Sequence, residues 1–421
     1  MHDLALEQLR GDYLHRFDRL RNDARRAQRT LQATDASKED AVDQVVRVTA
    51  PGHFGALTNG VYTLAAGTTY LVVTEVDLGG ARLVASANTV ISGYSSENCR
   101  IKSTGLTGVA LLTSIYTLPL LHITIEADVA LDLDAVDSNQ ALDWDGVNFT
   151  NCATVGTIAN YGNVIWRGCA LLSSANLTFD GSIGTVGFDG CLFVGIAGQT
   201  TIDLPATFTA TRRFRVIYSA FVVFGGATGI DVDVSATIPV ESYILDTVNF
   251  SGGATYTAGV PYSDNKALFV NNKGISNSAS IGVMTMTGNS TVTAVAVTDV
   301  DYKTEGVTTL DAGVSQKFTM PVDNRLTYGG AINREFRVTA TVTLTSANNT
   351  QVGVSFAKNG SVVASSEVLT TTDGNGRHEN IMAQAVVPMA ENDYIEVWVK
   401  NATDTRDITV TDFNVVVEAL N

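Results

Sequence analysis

Five short stretches align without internal gaps and bring chemically capable side chains to equivalent positions: Trp144-Asp-Gly-Val147-Asn-Phe149, Trp166-Arg-Gly-Cys169-Ala-Leu171, Phe188-Asp-Gly-Cys191-Leu-Phe193, Tyr218-Ser-Ala-Phe221-Val-Val223 and Leu245-Asp-Thr-Val248-Asn-Phe250. Asp145, Arg167, Asp189, Ser219 and Asp246 then share one column. Paired carboxylates are what acid–base cleavage of a glycosidic bond requires. If the stretches stack as neighbouring strands about 4.8 Å apart, Asp145 and Asp189 are separated by roughly 10 Å with Arg167 between them. That gap lies at or beyond the upper limit for an inverting pair. The intervening guanidinium also holds both carboxylates ionised, whereas a general acid needs a raised pKa. The column is therefore expected to be a surface salt-bridge ladder and not a catalytic pair.

Trp144, Trp166, Phe188 and Tyr218 form a second column. Facing outward, it would be a flat platform for sugar rings or for a neighbouring subunit; facing inward, it is an internal aromatic stack. Strand alternation sets Trp144 opposite to Val147 unless Asp145-Gly146 bends the chain, so both orientations stay open. The candidate positions for glycan or subunit contact are Trp144, Asp145, Trp166, Arg167, Asp189 and Tyr218. Asp132, Asp134 and Asp137, near Asp143, offer oxygen ligands for Ca²⁺ but match no EF-hand or RTX spacing, and read as solvated carboxylates. His2, His15, His53, His122 and His378 are scattered, so neither a metal site nor a Ser/His/Asp triad is indicated, and no cofactor is expected. Arg212, Arg213 and Arg215 are the basic cluster outside the N-terminus, suited to an acidic polysaccharide or to a neighbouring subunit's acidic surface.

These side chains need elements to hold them. The aligned stretches recur at intervals of 22, 22, 30 and 27 residues, about one coil of a parallel β-helix, with longer coils carrying loop insertions. The pairs Val147/Phe149, Cys169/Leu171, Cys191/Phe193, Phe221/Val223 and Val248/Phe250 would point apolar side chains into the lumen, and Gly and Asn would make the turns. Before this region, Leu6, Leu9, Tyr13, Phe17, Leu20, Ala24, Ala27 and Leu31 follow a heptad with one stutter, and charged residues fill the other faces. The spacing predicts a helix that trimerises along this seam; a lone amphipathic helix lying on its own domain is the other reading. After the repeats, longer alternating strands at 291–297, 336–344, 351–357, 381–387, 394–399 and 408–417, with turns such as Lys358-Asn-Gly, predict an antiparallel β-sandwich. The polar stretch 271–280 marks the boundary.

Composition agrees. The 421 residues include 37 Gly but only 7 Pro, and 45% hydrophobic content is ample for more than one core. A net charge of −16 argues against a nucleic-acid or anionic-membrane partner. No stretch approaches 18 uninterrupted apolar residues, so membrane insertion is not expected. Cys99, Cys152, Cys169 and Cys191 lack CxxC spacing and read as small buried hydrophobes.

The order of parts resembles bacteriophage tailspikes and fibres. The piece Glu391-Asn-Asp-Tyr-Ile-Glu-Val-Trp-Val399 followed by Asp407-Ile-Thr-Val-Thr-Asp-Phe-Asn-Val-Val-Val417 looks like the closing strands of the jelly-roll heads of trimeric fibres and C1q/TNF-like proteins. The expected fold class is all-β: a short right-handed parallel β-helix shaft (49–280) followed by a jelly-roll-like β-sandwich head (281–421), with an N-terminal trimerising α-helix (1–48). The resemblance implies a homotrimeric virion protein, made in the host cytoplasm and carried on the phage tail or capsid. Residues 1–48 would meet a tail, portal-adaptor or capsid protein, and the far end would meet host cell-surface polysaccharide or lipopolysaccharide. A polysaccharide depolymerase and a capsid-attached head fibre or decoration protein without receptor role are the alternatives; enzymatic activity is the less expected.

Overall fold

The computed structural model describes residues 44–252, 255–373 and 377–420. The expected trimerising helix, with Leu6, Leu9, Tyr13, Phe17, Leu20, Ala24, Ala27 and Leu31, lies outside them. Among the described residues the protein is all-β, with no α-helix and two short 3-10 turns at Pro51–Phe54 and Ala364–Ser366.

The chain forms two compact units. One reaches Val260 and includes Val270–Ser276; the other takes Pro261–Phe269 together with the residues from Asn277 onward. The interleaving arises around Ser278. Its backbone N–H donates to the Phe269 carbonyl at 2.9 Å, and its hydroxyl accepts from Phe269 N–H and donates to the Tyr262 carbonyl at 2.7 Å.

The first unit is a parallel β-solenoid of about nine turns with three sheets as its faces. Face one runs from Gln44–Val48 to Tyr243–Asp246, face two from Glu75–Asp77 to Asn249–Ser251, and face three from Leu57–Thr58 to Thr255–Ala258. All pairings within these faces are parallel except the opening hairpin Leu57–Thr58/Val61–Thr63. Strand alternation sends one set of side chains into the lumen, where stacked coils cover one another. The lumen is filled with aromatic and aliphatic groups. Phe193 and Phe221 stack at 4.3 Å and Phe221 and Phe250 at 4.9 Å on face two, while Trp166 and Phe188 meet edge-on at 5.4 Å on face one.

The corner between faces one and two depends on one backbone state. His122, Gly146, Gly168, Gly190, Tyr218 and Thr247 all have φ between +49° and +62° there. Each donates its N–H to the next coil's carbonyl, as Gly146 does to Arg167 and Gly168 to Asp189, both at 2.9 Å. Glycine adopts this left-handed state without steric cost, which is why the sequence repeats Asp-Gly and Arg-Gly at the bend.

The second unit is an antiparallel sandwich, in which the strand expected at 291–297 is reduced to an isolated bridge between Thr293 and Ile408. One sheet orders Thr309–Leu310, Ile281–Met286, Thr409–Ala419, Arg334–Thr345 and Glu379–Met389; the other centres on Tyr394–Asn401 between Arg325–Tyr328 and Gln351–Lys358. Phe336, Val338, Ala340, Val342 and Leu344 of one sheet and Val352, Val354, Phe356, Val397 and Val399 of the other meet in one buried cluster. The strict alternation along Glu379–Met389 is that of a strand with one face wet and one dry.

Candidate functional site

The repeat register brings Asp145, Arg167 and Asp189 together as expected, side by side on face one. Arg167, however, pairs with Asp143, which lies diagonally across the strand pair, and among the described residues neither Asp145 nor Asp189 has an ion pair. A long side chain reaches such a diagonal neighbour readily. Asp145 and Asp189 are two strand spacings apart, roughly 10 Å. The column thus supplies one exposed ion pair and two solvated carboxylates, with no site for a reacting bond between them.

The aromatic column turns inward. Trp144, Trp166 and Phe188 are all fully buried, and the tryptophan rings lie 4.8 Å apart. The open choice between platform and internal stack is decided for the stack, and neither tryptophan can meet a ligand. The fourth stretch needs a correction. Phe188 pairs with Val216 and Asp189 with Ile217, so the equivalent stretch begins at Val216, two residues before Tyr218. Phe221, not Val223, then continues the column of Phe193. Ser219 occupies the Cys191 position and is buried; its hydroxyl accepts from Cys191 N–H at 3.0 Å and donates to the Ile217 carbonyl at 2.8 Å. Tyr218 falls on the corner beside the glycines, exposed. The misalignment has a physical source. Val216-Ile217 lacks the aromatic-then-charged pair of Trp144-Asp, Trp166-Arg and Phe188-Asp, whereas Tyr218-Ser starts with an aromatic ring and a polar neighbour and so mimics it.

Two concave surfaces were not legible as sites in the sequence. On face three, Val84, Ala85, Ser86, Thr113, Ile115, Tyr116, Asp132 and Asp134 line a groove of about 320 Å³. Asp132 and Asp134 project outward from strand Val129–Asp134, two residues apart and therefore about 6.6 Å along the strand. Asn160 donates to Asp134 at 2.8 Å, and Ile115 is half exposed beside it. Asp137 instead holds its own turn through the Asn139 N–H. An apolar floor beside carboxylate acceptors is chemistry that suits a polyol. On the sandwich, Asn333, Arg334, Glu335, Lys358, Pro388, Met389, Ala390 and Asp393 line an open cleft of about 440 Å³. Its Lys358 is already committed, to Asp393 at 2.8 Å and to the Pro388 carbonyl at 2.7 Å. Burial opposes ionisation of Asp393, but hydrogen bonds from Lys358, Ala390 N–H and Asn359 outweigh it and hold its pKa below the usual aspartate value.

Elsewhere on the sandwich, Glu396 is only 2% exposed and is held by Arg325 at 3.1 Å, Lys303 at 3.2 Å and the Trp398 indole at 3.1 Å. Such a fully satisfied buried carboxylate is a structural element and not a reactive one. Among the described residues, no group of three or more His, Cys, Asp or Glu side chains could hold a metal, and no helix is long and apolar enough to cross a membrane.

No protein-family model and no curated protein matches the sequence. Among solved structures, this chain is similar to murine APRIL (8% identity, 33% of this chain and 98% of that one, TM-score 0.24). It is also similar to the Eiger TNF of S. frugiperda (8% identity, 33% and 92%, TM-score 0.23) and to rabbit GITRL (12% identity, 32% and 93%, TM-score 0.19).

Proposed function

We propose that the chain is a structural subunit of a homotrimeric bacteriophage fibre or tailspike, in which the solenoid is a rigid shaft, the jelly-roll-like sandwich is a head, and a groove on the solenoid takes host-surface glycan. The observation that carries this reading is the lumen. Coil after coil is filled by buried aromatic and aliphatic side chains, which gives a stiff element whose outer faces alone are free to act. Residues 1–43 would trimerise and attach the subunit to a tail, portal-adaptor or capsid protein. Three copies convert weak contacts with repeating sugars into useful avidity. The face-three groove is the glycan candidate because it joins Ile115 and Tyr116 to the outward carboxylates of Asp132 and Asp134.

Light scattering on the full-length chain, whose protomer is 44.5 kDa, should return three times that mass, and a monomeric mass would sink the trimer. Purified protein should bind a bacterial capsular polysaccharide or lipopolysaccharide in an array, and Asp132→Asn with Asp134→Asn should weaken that binding. Unchanged binding would remove the groove from the reading. No binding in any array would favour a head fibre or decoration protein without a receptor role.

The same pair favours a second reading, polysaccharide cleavage, because two outward carboxylates on strand positions about 6.6 Å apart can reach the separation used by inverting glycosidases. Release of reducing ends from the bound polysaccharide, abolished by Asp132→Asn, would establish it. Intact polysaccharide after prolonged incubation would exclude it.

A further inference from the structure

Residues 49–283 hold only nine Lys and Arg against 18 Asp and Glu, yet three of the nine stand within four positions at Arg212, Arg213 and Arg215. A β-bulge places them. Ile183 pairs with Ala210 but Thr185 with Arg213, so one extra residue enters strand Thr209–Ile217 and both Arg212 and Arg213 stand exposed. Arg215 lies back across Gly187, where an added Cβ would sit 3.1 Å from its Nε and 2.9 Å from Ile165 Cδ1. That Nε is buried without a hydrogen-bond partner, and none of the three guanidinium groups has an ion pair among the described residues.

The opposite charge stands at the same level of the solenoid on face three. Asp203 and Asp231 are directly paired in neighbouring coils, Asp233 follows two residues on, and Asp180 precedes them by one coil. Burial, and then repulsion from Asp231 and Asp233, push the Asp203 pKa up. Val234, 77% exposed, adds an apolar contact beside it. The coil that ends face three at Asp203 turns through 205–208 directly into the strand bearing the arginines. One protomer therefore presents an uncompensated acidic stack and an uncompensated basic cluster on the two sides of one corner.

We propose that these surfaces are the two halves of a head-to-tail contact between copies of the solenoid, with Arg212, Arg213 and Arg215 of one copy against Asp203, Asp231 and Asp233 of the next. The inference rests on the trimeric reading above and adds its geometry. A contact that joins two different surfaces of identical chains closes into a ring when the rotation allows, and a ring of three uses each surface once. A polyanionic ligand fits less well. Asp189 and Asp246 flank Arg215 two positions along the same face and would repel a chain of carboxylates laid over it.

The test uses full-length chains carrying Arg212→Cys or Asp233→Cys singly, since the four native cysteines are buried. Treated with a short bismaleimide, co-assembled mixtures of the two variants should give covalent dimers, and each variant alone should give none. Cross-linking of Arg212→Cys alone would indicate a two-fold contact and overturn the proposal. A wild-type trimer whose mixed variants fail to cross-link would overturn this contact and leave the trimer standing; a wild-type monomer would sink both. As a second reading, Arg212→Glu with Arg213→Glu should raise the concentration for half-dissociation about tenfold or more, and adding Asp231→Lys with Asp233→Lys should restore it. Unchanged assembly with loss of binding to alginate, a polyuronate, would reassign the arginines to an anionic glycan.

Discussion

The indole rings of Trp144 and Trp166 lie 4.8 Å apart in successive coils, but their N–H groups differ: Trp144 donates to the Leu118 carbonyl at 2.8 Å, while Trp166 Nε1 is buried without a partner among the described residues. Both side chains are fully excluded from solvent, so the difference between them isolates one hydrogen bond within nearly identical packing. Trp144→Phe should destabilise the protein by about 1 kcal/mol more than Trp166→Phe, because only the former removes a made bond. Urea denaturation of both variants at one protein concentration checks this; equal losses would show that the Leu118 bond contributes nothing net.

Asp77 provides a pH-dependent clasp. Its carboxylate accepts from the Thr104 hydroxyl, the Thr104 N–H and the Gly79 N–H, which together hold its pKa at about 2 instead of the ordinary 3.8. A folded-state pKa below the unfolded one contributes stability that is complete above the unfolded value and is lost as pH falls through the folded one. Stability should therefore drop between pH 4 and about 2, and Asp77→Asn should flatten that part of the curve. An identical acid limb in the variant would assign the loss to other carboxylates.

The thiols should be silent in the native state. Cys99, Cys152, Cys169 and Cys191 are free and buried, and burial pushes the Cys152 and Cys169 pKa values up, so little thiolate forms at neutral pH. A disulfide-exchange reagent at pH 7.5 should modify none of the four until denaturant is added. Rapid labelling of the native protein would contradict the closed lumen.

The corner predicts opposite responses to two substitutions. Tyr218 has φ +49° and an exposed ring, so Tyr218→Gly relieves a left-handed residue at the cost of added unfolded-state freedom, and the melting temperature should scarcely change. Gly146 has φ +62°, and an added Cβ would sit 2.6 Å from His122 Nδ1. Gly146→Ala should cost more than about 1 kcal/mol. Similar melting temperatures for wild type and Gly146→Ala would show that the corner tolerates a side chain.

The solenoid and its seams are legible in the order of residues alone. Trp144, Trp166 and Phe188, each followed by a charged residue and Gly, repeat at the spacing of one coil, because a stacked coil must bring the same backbone state back to the same corner. The alternation in 336–344 and 381–387 likewise pointed to the antiparallel sheet, since a strand with one wet and one dry face has period two. Which way the aromatic column faces is set by the folded coil and not by its motif. The left-handed bend at Gly146, Gly168 and Gly190 reverses the parity that strict alternation would carry from Trp144 to Val147, so both are buried. The folded coil also decided the register after Asp189, where Phe188 pairs with Val216 and not with Tyr218. The groove of Ile115, Tyr116, Asp132 and Asp134, and the arginines and aspartates on two sides of one corner, join residues from different coils. Which residues meet across coils depends on how many residues each coil spends in its loops, as the pairing of Phe188 with Val216 shows, and the repeat motif alone does not mark that count.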